Sequence, residues 1–220
     1  GKTVVVVDLP PDHREQVLSV GLDRIDAVLI THDHADHTHG IDDVRPAVLH
    51  MRRLMPVYMD ERTSLIVRQR FGYCFETPIG SEYPPITREM RITKGHEIVV
   101  EGPGGEIHAN PFEVHHGDID ALGFRFGNVA YTPDLHAIPE ESVHVLEGLD
   151  VWIIDALRHR PHPSHLTVAE ALEWIARMKP KRAILTNLHV DLDYEALKAT
   201  LPDHIEPAFD GMKITVSGAV

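Results

Sequence analysis

The sequence predicts an α/β chain in which two sheets lie between helix layers, a four-layer αββα sandwich of α+β character. Three observations predict it. Continuous apolar runs bounded by polar residues recur along the 220 residues. Segments with helix-end signals alternate with those runs. The middle of the chain changes to short strands separated by glycine turns.

Val4 to Val7 and Ala27 to Ile30 are the first two runs, of a kind that fits strands covered on both faces. Between them, Pro11 to Val20 has proline near its start and Gly21 just past its end, which marks a helix. Phe71 to Pro85 combines Gly, Pro and aromatics and reads as a long loop, an insertion at about 71–90. From Arg91 to Tyr131 the turns at Gly102–Gly105, Gly117-Asp118 and Gly127-Asn128 divide an antiparallel meander. Val151 to Ile154 and Ala183 to Leu185 are two further buried strands. Thr167-Val168-Ala169-Glu170 is a capping box that opens a helix running to Met178, before Pro180. Asp193 to Leu201 is a last helix, closed by Pro202. Without a repeat or linker to split it, the chain reads as one domain over 1–220.

Composition narrows the function. There are 34 acids against 21 bases, a net charge of −13, which argues against long nucleic acid as a partner. One cysteine excludes a disulfide framework and a cysteine-rich zinc module. No apolar run reaches the roughly 18 residues of a membrane span. The chain enters its first strand with no secretory signal, so a cytoplasmic location is expected. Against this background, 17 histidines are an excess, and no polyhistidine tract accounts for them. Metal binding does.

The decisive stretch is Thr31-His32-Asp33-His34-Ala35-Asp36-His37, which reads H-x-H-x-D-H directly after a strand. The chain's own residue frequencies give roughly a 1% chance of one random occurrence. Imidazole and carboxylate are what zinc, manganese and iron accept. Alternation places His32 and His34 on one side and leaves Asp36 and His37 for a second ion. Other ligand types stand at the ends of apolar strands: Asp8, the pair His115 and His116, Asp134, Asp155, then Asn187 and His189. Singly each is ordinary turn chemistry. Together with the loop they are not.

With these residues the sequence resembles the metallo-β-lactamase superfamily over essentially its whole length. The nearest likeness is the branch holding ribonuclease Z and the cyclic phosphodiesterase of phosphonate breakdown. Phe71-Gly72-Tyr73-Cys74-Phe75-Glu76-Thr77-Pro78 and Arg160-Pro161-His162-Pro163-Ser164-His165 look like bacterial relatives of that phosphodiesterase. The resemblance implies that His32, His34 and His116 hold one metal, that Asp36 and His37 hold another, and that Asp134 bridges both. Asp8 would brace the ligand loop from behind. Where many relatives have a further histidine ligand, this chain has Leu185-Thr186-Asn187. Either His189 swings in, or the second ion is held more weakly with Asn187 as a poor ligand. Relatives also carry an initial hairpin upstream of Gly1, so a trimmed start is expected.

The resemblance further implies a two-metal phosphodiesterase in which a metal-bridging hydroxide attacks a small nucleotide or sugar cyclic phosphate. The ions are expected to be Zn or Mn, with Fe allowed. A small cationic centre inside an acidic protein suits a small anion. Asp36 would act through the second ion. His165, paired with Asp155, resembles the histidine that protonates the leaving group. His162, Arg158 and Arg160 would contact phosphate or ribose, with plain surface roles at equal odds. Cys74 reads as packing, and His13, His50, His96, His108, His136, His144, His159 and His204 as surface or loop residues. A homodimer is compatible with all of this. The competing readings are lactone, thioester or lactam hydrolysis on the same metals, and, ranked lower, a di-iron redox or non-hydrolytic metal protein.

Overall fold

The apolar runs Val4–Val7 and Ala27–Ile30 do become neighbouring strands, and their alignment decides where the ligand loop emerges. In the computed structural model, which describes residues 2–216, the chain divides into two compact units, the first ending at His108 and the second beginning at Ala109.

The first unit is built on a four-stranded sheet with the order β1-β2-β3-β4 (Val5–Val7, Ala27–Leu29, Met55–Met59, Thr87–Arg91). All its strands are parallel, with Val5 opposite Ala27, Val28 opposite Val57 and Met55 opposite Thr87. Helix α1 (His13–Val20) ends at Gly21, whose φ of 67° is the left-handed conformation a C-terminal cap needs. The short α2 (Ala35–Thr38) carries the end of the histidine motif, and α3 (Arg45–Met51) follows. Helix α4 (Glu61–Phe75) is capped by Asp60, which accepts from the Thr63 N–H at 2.8 Å. Val28, Ile30, Ile41, Val44, Val57 and Val67 form the center of this unit's core.

Two sequence expectations change here. The loop expected from Phe71 begins five residues later, because Phe71–Phe75 finish α4, and Thr87–Arg91 at the far end is strand β4. Only 76–86 lies between the two elements, so the insertion placed at 71–90 is much shorter. Strand β3 carries Pro56, a residue usually confined to edges and bulges, which hid it from a pattern search. The second change is His13, which is 2% exposed rather than on the surface.

The chain then forms β5 (Ile98–Gly102) and enters the long β6 (Gly105–His116), which runs on into the second unit. The meander continues with β7 (Ile119–Phe126) and β8 (Val129–Thr132), antiparallel with Phe112 opposite Gly123 and Phe124 opposite Tyr131. Gly123 is required there, since a Cβ would strike the Phe112 ring. After the short α5 (Glu140–Val143), β9 (Val151–Asp155), β10 (Arg182–Thr186) and β11 (Ile205–Pro207) join in parallel. The sheet order is β11-β10-β9-β8-β7-β6-β5. Helix α6 (Val168–Met178) begins with the expected capping box of Thr167 and Glu170, and α7 (Tyr194–Thr200) is capped by Asp193. Trp152 is fully buried at the core, and its indole N–H donates to Thr132 Oγ1 at 3.0 Å, so the polar end is satisfied.

Register is what matters for function. Thr132 lies opposite Ile154, and Thr186 opposite Asp155, so β8, β9 and β10 end level with one another. The residues that follow them leave from one edge. In the first unit β1 and β2 do the same, and the Asp8 N–H reaches the Leu29 carbonyl at 2.9 Å.

At the opposite end of β1 and β2, Asp26 has a fully buried side chain. It accepts from the Val4 N–H at 2.9 Å, from Arg24 and from Arg53 at 2.6 Å. Burial works against its charge, but Arg24, Val4 and Arg53 outweigh it and hold the carboxyl below its ordinary value. Replacing Asp26 by Asn should cost about 2 kcal/mol at neutral pH, the scale of hydrogen bonds to a charged group. Because the folded pKa lies below the unfolded value of about 3.9, that contribution is complete above the unfolded pKa and is lost as pH falls through the folded one. Urea denaturation of both proteins should therefore show the gap shrinking below about pH 4. A gap independent of pH would remove the charge from the explanation.

Candidate functional site

The H-x-H-x-D-H loop is held in place by a buried carboxylate. Asp8, 5% exposed, sits just after β1 with φ of 62°, a left-handed conformation that Asp tolerates better than most residues. One of its oxygens accepts from the Thr31 N–H at 2.8 Å. The other accepts from the Thr31 hydroxyl at 2.9 Å and pairs with His37 Nδ1 at 2.7 Å. The Thr31 hydroxyl, having given its proton to Asp8, can accept from His32 Nδ1 at 3.0 Å. This chain of bonds commits the Nδ1 atoms of His32 and His37 and makes Nε2 the ligand atom each can offer. Burial pushes the Asp8 carboxyl up, against the pull of His37 and Thr31.

The three imidazoles are gathered by this bracing. The His32 ring centroid lies 4.5 Å from that of His34 and 4.1 Å from that of His37. His32 is fully buried, while His34 and Asp36 are exposed. The Asp36 carboxylate lies 3.6 Å from His37 Nε2. Between the first two histidines, Asp33 is buried and paired with Arg62 of α4 at 2.6 Å. Arg70 of the same helix donates to the Asp33 carbonyl and approaches its carboxylate at 3.7 Å. The loop is therefore anchored on both sides. After it, Gly40 packs where a Cβ would run into the Pro10 carbonyl.

In the second unit the level strand ends collect a different set. His116, Asp134 and His165 offer ligand-type atoms within 4.8 Å of one another. His116 Nδ1 is 2.8 Å from the Ser164 carbonyl, which only an N–H can satisfy, so Nε2 is the atom turned toward Asp134, at 3.7 Å. His165 Nδ1 lies 3.0 Å from Asp155 Oδ2, and the same oxygen accepts from the Leu135 and Leu166 N–H groups at 3.3 Å. Asp155 is completely buried, and burial pushes its carboxyl up to about 6 although His165 draws it down. A buried acid on one imidazole nitrogen orients the ring and leaves the other for proton transfer.

Asn187 stands directly after β10 with φ of 60°. Its amide nitrogen lies 3.3 Å from Asp134 Oδ1, from Asp155 Oδ1 and from His165 Nδ1. It thus ties the aspartates to the dyad as a hydrogen-bonding partner. His189 is turned to its own turn, with Nδ1 3.3 Å from Asp191, and joins none of the donor groups among the described residues. Arg158 spends its guanidinium on the Arg160 and Pro161 carbonyls, holding the loop's shape. Arg160 is exposed. His162 packs against His165 at 5.0 Å between centroids and bonds to Ser164. His115 points away from His116 and pairs with Asp120 at 2.7 Å. Cys74 is buried, and burial pushes its thiol up to about 11, too high for a nucleophile at neutral pH. Thr31, Ser164, Arg62 and Arg70 were missed by sequence reasoning; only the adjacency of Thr31 and Ser164 to motif histidines gave any signal.

A beta-lactamase superfamily domain profile matches residues 3–187. The chain belongs to that superfamily. Its place is in the branch of ribonuclease Z and the PhnP family. An octanoyltransferase of Porphyromonas gingivalis is 31% identical over 217 residues, 96% of this chain and 42% of that protein. A ribonuclease Z of Bradyrhizobium sp. is 30% identical over 143 residues, 62% of this chain and 43% of its own length. The chain therefore spans less than half of these curated relatives. The crystal structure of a diphosphatase from the PhnP family superposes with a TM-score of 0.86 at 35% identity, covering 96% of this chain and 79% of the other. The fold is thus the metallo-β-lactamase fold. No helix among the described residues is long and apolar enough to cross a membrane.

The donors fit divalent metal. Imidazoles with Nδ1 committed behind them, together with a buried aspartate, are what borderline cations accept. Asn is tolerated in the backbone conformation of Asp8, so Asp8→Asn isolates the loss of the charge. Divalent metal affinity should then fall about 10–100-fold in a competition titration against a chromogenic chelator. Unchanged affinity in a variant with unchanged thermal stability would show that the loop does not depend on this brace.

Proposed function

We propose that the chain is a binuclear metal-dependent phosphodiesterase acting on a small nucleotide or sugar phosphodiester, cyclic ones included. One observation carries the reading: a metal-type pair, His116 and Asp134, shares a cluster with a partly exposed histidine, His165, that is paired to the buried Asp155. Metal donors alone are common to the whole superfamily. A proton donor fixed beside them suits a reaction that expels an alkoxide.

In this reading His32, His34, His116, Asp36, His37 and Asp134 would be the residues that hold the ions. Bound there, Zn, Mn or Fe would supply Lewis acidity toward a phosphate oxygen and an activated water. The rest falls to the chain. Asp8 and Thr31 keep the ligand tautomers fixed. His165 presents a proton to the leaving oxygen, and Asp155 stabilises the imidazolium that donates it. Asn187 holds Asp134 and Asp155 at set distances from that ring. The second ion has one imidazole fewer than in relatives with a histidine at that position, so it should exchange more readily. The similarity to a PhnP-family diphosphatase supports phosphorus as the centre attacked.

Metal-reconstituted protein should hydrolyse bis-p-nitrophenyl phosphate faster than a generic lactone or thioester; the reverse order would sink the phosphodiesterase reading. His34→Ala should lose metal and activity together. His165→Ala should keep its metal and lose about 10²–10⁴ in kcat on a substrate with a poor, alkoxide leaving group. The loss should be far smaller with p-nitrophenolate, which departs without a proton. Equal losses on both would assign His165 to something other than leaving-group protonation.

A further inference from the structure

Beside the histidine loop, within the first unit, is a cavity of about 500 Å³ lined by His34, Ala35, His39, Arg70 and Phe71. Its size falls in the range of roughly 300–1,000 Å³ of small-ligand sites. Two features set it apart from an accidental groove. Helix α4 leaves helical geometry at Phe71, with φ −128° and ψ 34°, so this ring is presented by a break in the helix. The His39 ring meets Phe71 edge-on, with centroids 5.4 Å apart, which fixes one edge of the aromatic wall. The wall also has a cation. Arg70 is held at one side by Asp33, the residue between the motif histidines, and its side chain is 40% exposed.

We infer that this cavity is a nucleobase subsite: Phe71 and His39 take the base, and Arg70 takes charge on the phosphate or ribose end of the ligand. The inference rests on the phosphodiesterase reading for its meaning, and it narrows the substrate from sugar phosphates in general to base-bearing ones. The chemistry is specific to that class. A base has a planar π-face that stacks on an aromatic wall whatever its sequence identity. A guanidinium pre-oriented by a carboxylate suits a phosphate oxygen better than a mobile lysine. Because His34 lines the same cavity, a ligand seated on Phe71 brings its phosphate end to the metal-ligand loop. A base-free ribose phosphate could use Arg70 and His34 but would leave the aromatic wall empty.

Isothermal titration of the metal-loaded protein with AMP and with ribose 5-phosphate tests this directly. The wild type should bind AMP about tenfold more tightly, as base–aromatic stacking provides. Phe71→Leu should close most of that gap by weakening AMP alone. Arg70→Gln should weaken both ligands and leave the gap in place, which also covers the case in which the half-buried Phe71 does not tolerate replacement. Equal affinity of the wild type for the two ligands would overturn the subsite, as would a gap that survives in folded Phe71→Leu. Turnover of bis-p-nitrophenyl phosphate, followed in parallel, reports the parent reading separately. AMP preference without turnover would leave the nucleobase subsite standing and remove the phosphodiesterase, whereas turnover without AMP preference would do the opposite.

Discussion

The Asp8 carboxylate is the contact on which the rest of the ligand loop depends. It is buried behind the loop, and its two oxygens take the Thr31 N–H, the Thr31 hydroxyl and His37. Through Thr31 it also sets His32. A buried carboxylate is costly unless it is hydrogen-bonded or faces positive charge. Here burial pushes its pKa up against those bonds, so positive charge at the ligand loop would favour its charged form. Loop geometry and metal affinity are therefore the same free energy seen from two sides.

The same construction appears at the strand ends of the second unit with other residues. Asp155 is the buried carboxylate there, and it organises His165 and the N–H groups of Leu135 and Leu166. Of the four left-handed non-glycine residues among the described ones, Arg52 and Lys179 cap helices, while Asp8 and Asn187 each follow a parallel strand immediately and each direct a polar side chain into a cluster. Unusual backbone held by surrounding bonds concentrates at working positions. Glycine would relieve the strain at either one and would discard the side chain that the position exists to place.

How far the sequence revealed this depends on the distance over which each feature acts. The capping box at Thr167, the Gly21 cap and the H-x-H-x-D-H loop are local, and local spacing shows them. Strand ends that align Asp134, Asp155 and Asn187 were legible because apolar runs in a parallel sheet finish at one edge. Helix α4 was not, since its polar face carries the arginines that anchor Asp33 and its pattern is weakly amphipathic. The Arg70–Asp33 contact joins residues 37 apart, and nothing in either neighbourhood announces it. The surface assignment of His13 failed for a related reason. Its burial comes from the later segment at Gly40, where the His13 Cβ would lie 2.8 Å from an added Cβ. His189 was the alternative to Asn187 where relatives have a histidine ligand, and its ring lies 3.3 Å from Asp191 of its own turn.

Asn187 shows how a substitution can keep a site while changing its emphasis. An imidazole there would compete for metal and would leave the aspartates to their mutual repulsion. The amide instead reaches Asp134, Asp155 and the His165 ring at 3.3 Å each. Asp134 is one of the groups that push the Asp155 carboxyl up, and a polar bridge between the two tempers that repulsion without adding charge. In the proposed phosphodiesterase, binding strength at one metal would thereby be exchanged for order around His165. That exchange would favour esters with poor leaving groups, such as the sugar hydroxyl of a nucleotide.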